Sequence, residues 1–140
     1  MTSVPGVAKL LGWAGLLPFI AAPAALHLFP DAAARLVVAV ATYALAILCF
    51  LAGAWWGIAL LRRRWEVLLV SNAVVIAGWA GYLLLPSRWV LCLLALLLAV
   101  TVHFERTHPM FAPQPAYYAA LRLRLSAVAA LFLVAAALLI

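Results

Sequence analysis

The chain has 140 residues, of which 71% are hydrophobic and only 9% charged. Soluble domains run at roughly 45–50% apolar and about 25% charged, and a soluble protein of this length could not hide so much apolar surface. The formal charge of +6 does not point to nucleic acid, because the arginines fall between apolar runs instead of forming one exposed basic face.

Five apolar runs follow one another: roughly residues 10–29, 36–61, 67–85, 89–104 and 119–140. Most are near the ~20 residues needed to cross a hydrocarbon core. In lipid each backbone N–H and C=O must be paired internally, and continuous runs exclude the alternation of a β-barrel. The expectation is an all-α integral membrane bundle of about five transmembrane helices, forming a single transmembrane domain over residues 1–140.

The first run carries Pro18 and Pro23, which predict a kink. Its length, and Trp13 and the prolines within it, argue against a cleaved signal peptide. Gly12 and Gly15 supply small positions here, and Gly53 and Gly57 form a small-xxx-small pair in the second run. Such pairs let helix backbones approach, so all four are candidates for packing or an oligomer interface. Gly78 and Gly81 add small positions in the third run, where Asn72 calls for a hydrogen-bond partner on a neighbouring helix. The fourth run is short, which suggests locally thinned bilayer or a start within the headgroups. After it come residues 105–118, with Pro109, Pro113 and Pro115. Those prolines forbid a regular helix and predict an irregular surface loop with Tyr117 and Tyr118 at headgroup level. In the fifth run, Arg122 and Arg124 are expected to snorkel to the headgroups.

Five crossings place Lys9, Arg62, Arg63, Arg64, Arg106, Arg122 and Arg124 on one side, against Arg35 and Arg88 on the other. By the positive-inside rule the N-terminus is cytoplasmic and the C-terminus periplasmic. Arg62, Arg63, Arg64, Arg106, Tyr117, Tyr118 and Arg122 then form a candidate cytoplasmic surface for a protein partner or lipid.

Signals for chemistry are sparse. Cys49 and Cys92 sit inside apolar runs, as small hydrophobes do. His27 falls on the opposite side from His103 and His108, and Glu105 with His108 makes one Glu-x-x-His where di-iron bundles use two. No Gly-x-Ser-x-Gly, Walker A or His-Glu-x-x-His motif is present, and no ionisable residue is expected deep in a span. We therefore expect no enzyme activity, no cofactor and no metal.

The segment Leu11-Gly12-Trp13-Ala14-Gly15-Leu16-Leu17-Pro18-Phe19 resembles the opening of the domain of unknown function 3429 family, the transmembrane protein 69-like small multi-pass membrane proteins. So does the second run from Tyr43 through Ala52-Gly53-Ala54-Trp55-Trp56-Gly57, as do Trp79 with Pro86 and the ending Pro115-Ala116-Tyr117-Tyr118, Leu121-Arg122, Leu125-Ser126. Where the family often has His before the Trp-Gly of its second helix, this chain has Trp55, and Tyr117 replaces a Trp. The resemblance implies a small bacterial inner-membrane protein and carries over no activity. The expected role is an accessory or assembly factor of a membrane complex. The alternatives are a small oligomeric channel or facilitator, and a membrane-embedded metal or haem protein. Membrane lipids and a membrane-protein partner or second copy are the expected contacts.

Overall fold

The structure, a computed structural model, describes residues 3–140. Its helices are α1 (Val4–Ala14), α2 (Leu17–Leu28), α3 (Ala33–Arg62), α4 (Trp65–Leu84), α5 (Ser87–Thr107) and α6 (Ala116–Leu138). Two short 3-10 turns, Pro30–Ala32 and Pro109–Phe111, sit in the connections. α1 and α2 together make one span, so five segments are long and apolar enough to cross a membrane. They are apolar all round. Only 22–44% of each span's most apolar window is buried in the bundle, and Phe50, Leu61, Leu84 and Leu131 project outward. Helices of this kind are solvated by lipid.

The first span, where the prolines predict a kink, is interrupted at Gly15 and Leu16, both of which keep right-handed helical angles. Pro18 has no N–H to continue the ladder, and it stands in the first turn of α2. The carbonyl of Gly15, at the break, accepts a 2.9 Å hydrogen bond from the Tyr43 hydroxyl of α3. Tyr43 also packs its ring on Phe19, with centroids 5.3 Å apart. Pro23 is carried inside α2.

The Pro30–Ala32 turn reverses the chain into α3, whose 30 residues span about 45 Å at 1.5 Å per residue. This exceeds the ~30 Å hydrocarbon core, so α3 tilts or projects. Arg63 ends it in the left-handed region, φ 53°, and Arg64 N–H returns to the Ala59 carbonyl. A non-glycine residue there is uncommon. The fourth run lengthens to the 21 residues of α5, enough to cross without thinning. His103, Glu105 and Arg106 interrupt the apolar run but continue the helix.

Hydrophobic burial does not drive helices together in lipid, so close packing and hydrogen bonds must. α3 buries Val37, Ala41, Ala44, Leu48, Ala52, Trp55 and Ala59, a seam of three- and four-residue steps. α6 buries Arg122, Ser126, Ala129, Leu133 and Ala136 with the same spacing. α5 lies along α6, α4 along α3, and α2 fits between α3 and α6. The glycines of α4 close the contacts: a Cβ on Gly78 would press Leu48 and Leu45 of α3 at 3.0 and 3.1 Å, and one on Gly81 would collide with Leu93 of α5. Ser71 adds a cross-helix bond to the Ala52 carbonyl at 2.8 Å, whereas Asn72, expected to bond a neighbouring helix, bonds Leu68 of its own helix.

Candidate functional site

One end of the bundle gathers the start of α1, the end of α3, the start of α4, the end of α5 and the start of α6. Here the structure holds its most concentrated polar chemistry. Arg122 of α6 faces inward and grips Glu105 of α5 in a fork: Nε donates to Oε2 at 3.0 Å and Nη2 to Oε1 at 2.9 Å. The two side chains are only 8% and 9% exposed, so little water screens the pair. Nη1 of Arg122 donates to Ser126 Oγ at 3.0 Å. From α3, Trp55 Nε1 donates to Glu105 Oε1 at 2.8 Å. The carboxylate thus accepts three donors from two helices, which meets the condition for burying a charge.

An aromatic cluster covers this pair. Trp55 packs on Phe104 and Phe111 with centroids 5.1 and 5.6 Å apart, and Phe104 stacks on His108 at 5.0 Å. Met110 and Phe111 of the connecting turn are buried with Trp55, Ala59 and Val67. Arg62, one step beyond Ala59 on the α3 seam, donates from Nη1 to the carbonyls of Met110 and Ala112, both at 2.6 Å. His108 Nδ1 accepts from Met110 N–H at 3.2 Å, and its Nε2 lies 3.7 Å from Glu66, which also faces Arg64 at 3.6 Å.

Several expectations change. Arg122, expected on the cytoplasmic surface, is buried as the centre of the polar cluster. Residues 105–118 are not one surface loop: α5 runs to Thr107, α6 begins at Ala116, and the turn between them is docked into the bundle end. Tyr117 and Tyr118 lie in the first turn of α6. Arg62 is occupied in holding that turn and Arg64 faces Glu66, leaving Lys9, Arg63, Arg106 and Arg124 as the other exposed cations of this end. Gly12 packs α1 on α6, where a Cβ would stand 2.6 Å from Leu125 Cδ1, and Gly15 lies at the helix break. Gly53 and Gly57 are outside the bundle altogether, with nothing within 4 Å of where a Cβ would be.

The Glu105–Arg122 pair stands between two cavities. Glu105 lines one of about 550 Å³ with Arg106, His108, Gln114 and Arg124. Arg122 and Ser126 line the other, about 400 Å³ and mostly apolar, with Gly12, Phe19 and Phe50. His103 joins neither; it lines a furrow of about 320 Å³ farther along α5 and α6. His27 lies near the end of α2, at the opposite end of the bundle.

Trp55 and Ser126 were missed as members of the site, but the sequence carries a signal for both. The seam Ser126, Ala129, Leu133, Ala136, stepped back once, lands on Arg122 and not on Arg124. The seam of α3 contains Trp55 and omits Gly53 and Gly57.

These features define a small multi-pass α-helical membrane protein with a buried ion pair near one end. The chain belongs to the family described as Protein of unknown function (DUF3429), which matches residues 4–138. It is similar to Transmembrane protein 69 of Xenopus tropicalis, with 27% identity over 96% of this chain and 54% of that protein. The chain therefore spans about half the length of this relative. No solved structure matches.

Proposed function

We propose that this protein acts by contact, as a non-enzymatic accessory or assembly factor of a membrane complex, through the basic end of its bundle. We place that end in the cytoplasm and the protein in a bacterial inner membrane, on the asymmetry of seven basic residues against two. The observation that carries the contact role is the saturation of the polar cluster. Glu105 is taken up by Arg122 and Trp55, and Arg62 by the Met110 and Ala112 carbonyls. These bonds fix the connecting turn and the helix ends, a rigid frame that presents Arg63 and Arg64 to a partner. Preorganisation of this kind lowers the entropic cost of binding. A photo-crosslinking residue at position 64 should capture one discrete membrane protein in native membranes, and the same residue at position 35 should not. Equal or random labelling from both positions would count against the reading.

A second reading, a small oligomeric channel or facilitator, is supported by Gly53 and Gly57. They lie open on the outer face of α3, where close helix approach is sterically free. Mass measurement in nanodiscs separates it: a lone chain would remove it.

A further inference from the structure

The two outer hollows along α5 and α6 share a wall. The polar cavity near the helix ends is lined by Arg106, Gln114 and Arg124, and the furrow beneath it by Ala99, Val102, Ala127 and Ala130. Arg106 and Leu123 line both, so the hollows are two stretches of one seam. Alanines keep most of the lower stretch shallow-walled and apolar, with His103 and Ser126 as its polar lining residues below Arg106, along two helices long and apolar enough to cross a membrane. The upper stretch is cationic. Arg106 and Arg124 are exposed and pair with no acid among the described residues. The one carboxylate beside them, Glu105, is neutralised by Arg122.

We propose that this seam is a binding site for one anionic glycerophospholipid. Its phosphodiester sits between the Arg106 and Arg124 guanidiniums, with the Gln114 amide facing the headgroup, and one acyl chain lies in the furrow past Ala127. Two observations select this occupant. Basic pockets between transmembrane helices hold anionic head groups, and a mainly apolar furrow continuous with the basic cavity asks for a chain attached to that head group. The site does not depend on the contact role proposed above, since partner capture and lipid retention are read separately.

The test is native mass spectrometry of the whole chain, transferred into nanodiscs of mixed phosphatidylglycerol and phosphatidylcholine. Wild type should retain one phosphatidylglycerol in preference to phosphatidylcholine. Arg106→Gln/Arg124→Gln should lower that preference at least about tenfold, two cations near the surface being removed. Arg63→Gln/Arg64→Gln, with the same charge change elsewhere at this end, should leave it intact. Ala127→Phe fills the exposed furrow at unchanged charge and should also weaken retention. Glycerophosphoglycerol, the head group alone, should not compete. The proposal is overturned if retention shows no head-group preference, if the two double variants behave alike, if Ala127→Phe retains lipid as wild type does, or if the free head group competes as well as the lipid.

Discussion

Replacing Glu105 with Leu removes the negative half of a buried pair and leaves the Arg122 guanidinium in place. That guanidinium is 8% exposed and retains only Ser126 as a full hydrogen-bond partner. Breaking a buried pair from one side costs about 3–5 kcal/mol, because an uncompensated charge stays out of water. Arg122→Met alone strands Glu105, which then has only the Trp55 donor, and should cost a similar amount. The double variant Glu105→Leu/Arg122→Met leaves no buried charge, and replacements of this kind are often neutral. The two single effects, which sum to about 6–10 kcal/mol, should therefore be strongly non-additive, the double variant costing far less than that sum. Reversible unfolding in mixed micelles, titrated with denaturing detergent and followed by tryptophan fluorescence, would measure the four corners of the cycle. If Glu105→Leu costs under about 1 kcal/mol, as for an exposed pair, or if the double variant equals the sum of the singles, the pair is not a buried keystone of the bundle.

Trp55→Phe keeps an aromatic ring against Phe104 and Phe111 but takes one donor from Glu105, and should cost about 1–2 kcal/mol in the same assay. Arg62→Ala frees the turn at residues 109–112. Amide hydrogen exchange there should quicken by about tenfold, a loss of roughly 1.4 kcal/mol in charge-assisted bonding, while the centre of α3 stays protected. Gly78→Leu drives a side chain against Leu45, Leu48 and Leu97 and should destabilise the monomer by about 1–3 kcal/mol or more; Gly57→Leu, on the open face, should not. Single cysteines at positions 64 and 35, with Cys49 and Cys92 replaced, should react with a membrane-impermeant thiol reagent from opposite sides of the membrane, position 64 from the cytoplasm.

The five membrane-length helices were legible because each is a continuous apolar run, and lipid leaves the backbone no alternative to a helix. Helix ends were less so: the apolar run stops at Phe104, yet the backbone continues through Glu105 and Arg106 because turn chemistry begins only at His108-Pro109. Arg122 and Arg124 are two residues apart and so project to nearly opposite sides of α6. Composition alone treats them alike, and only the Ala-rich seam tells which one turns inward. The Glu105–Arg122 bond closes across a connection containing three prolines, whose path no local rule supplies. Likewise, the small-xxx-small spacing of Gly53 and Gly57 marks a possible approach of helices without saying whether another part of the chain fills it.

The contact role is tested most directly by taking the protein from native membranes into lipid nanodiscs, identifying what accompanies it and measuring the particle mass. One stoichiometric partner protein should appear, retained by wild type and by Ala127→Phe, and lost from Arg63→Gln/Arg64→Gln. A particle holding only copies of this chain and lipid, unchanged by the arginine substitutions, would contradict it.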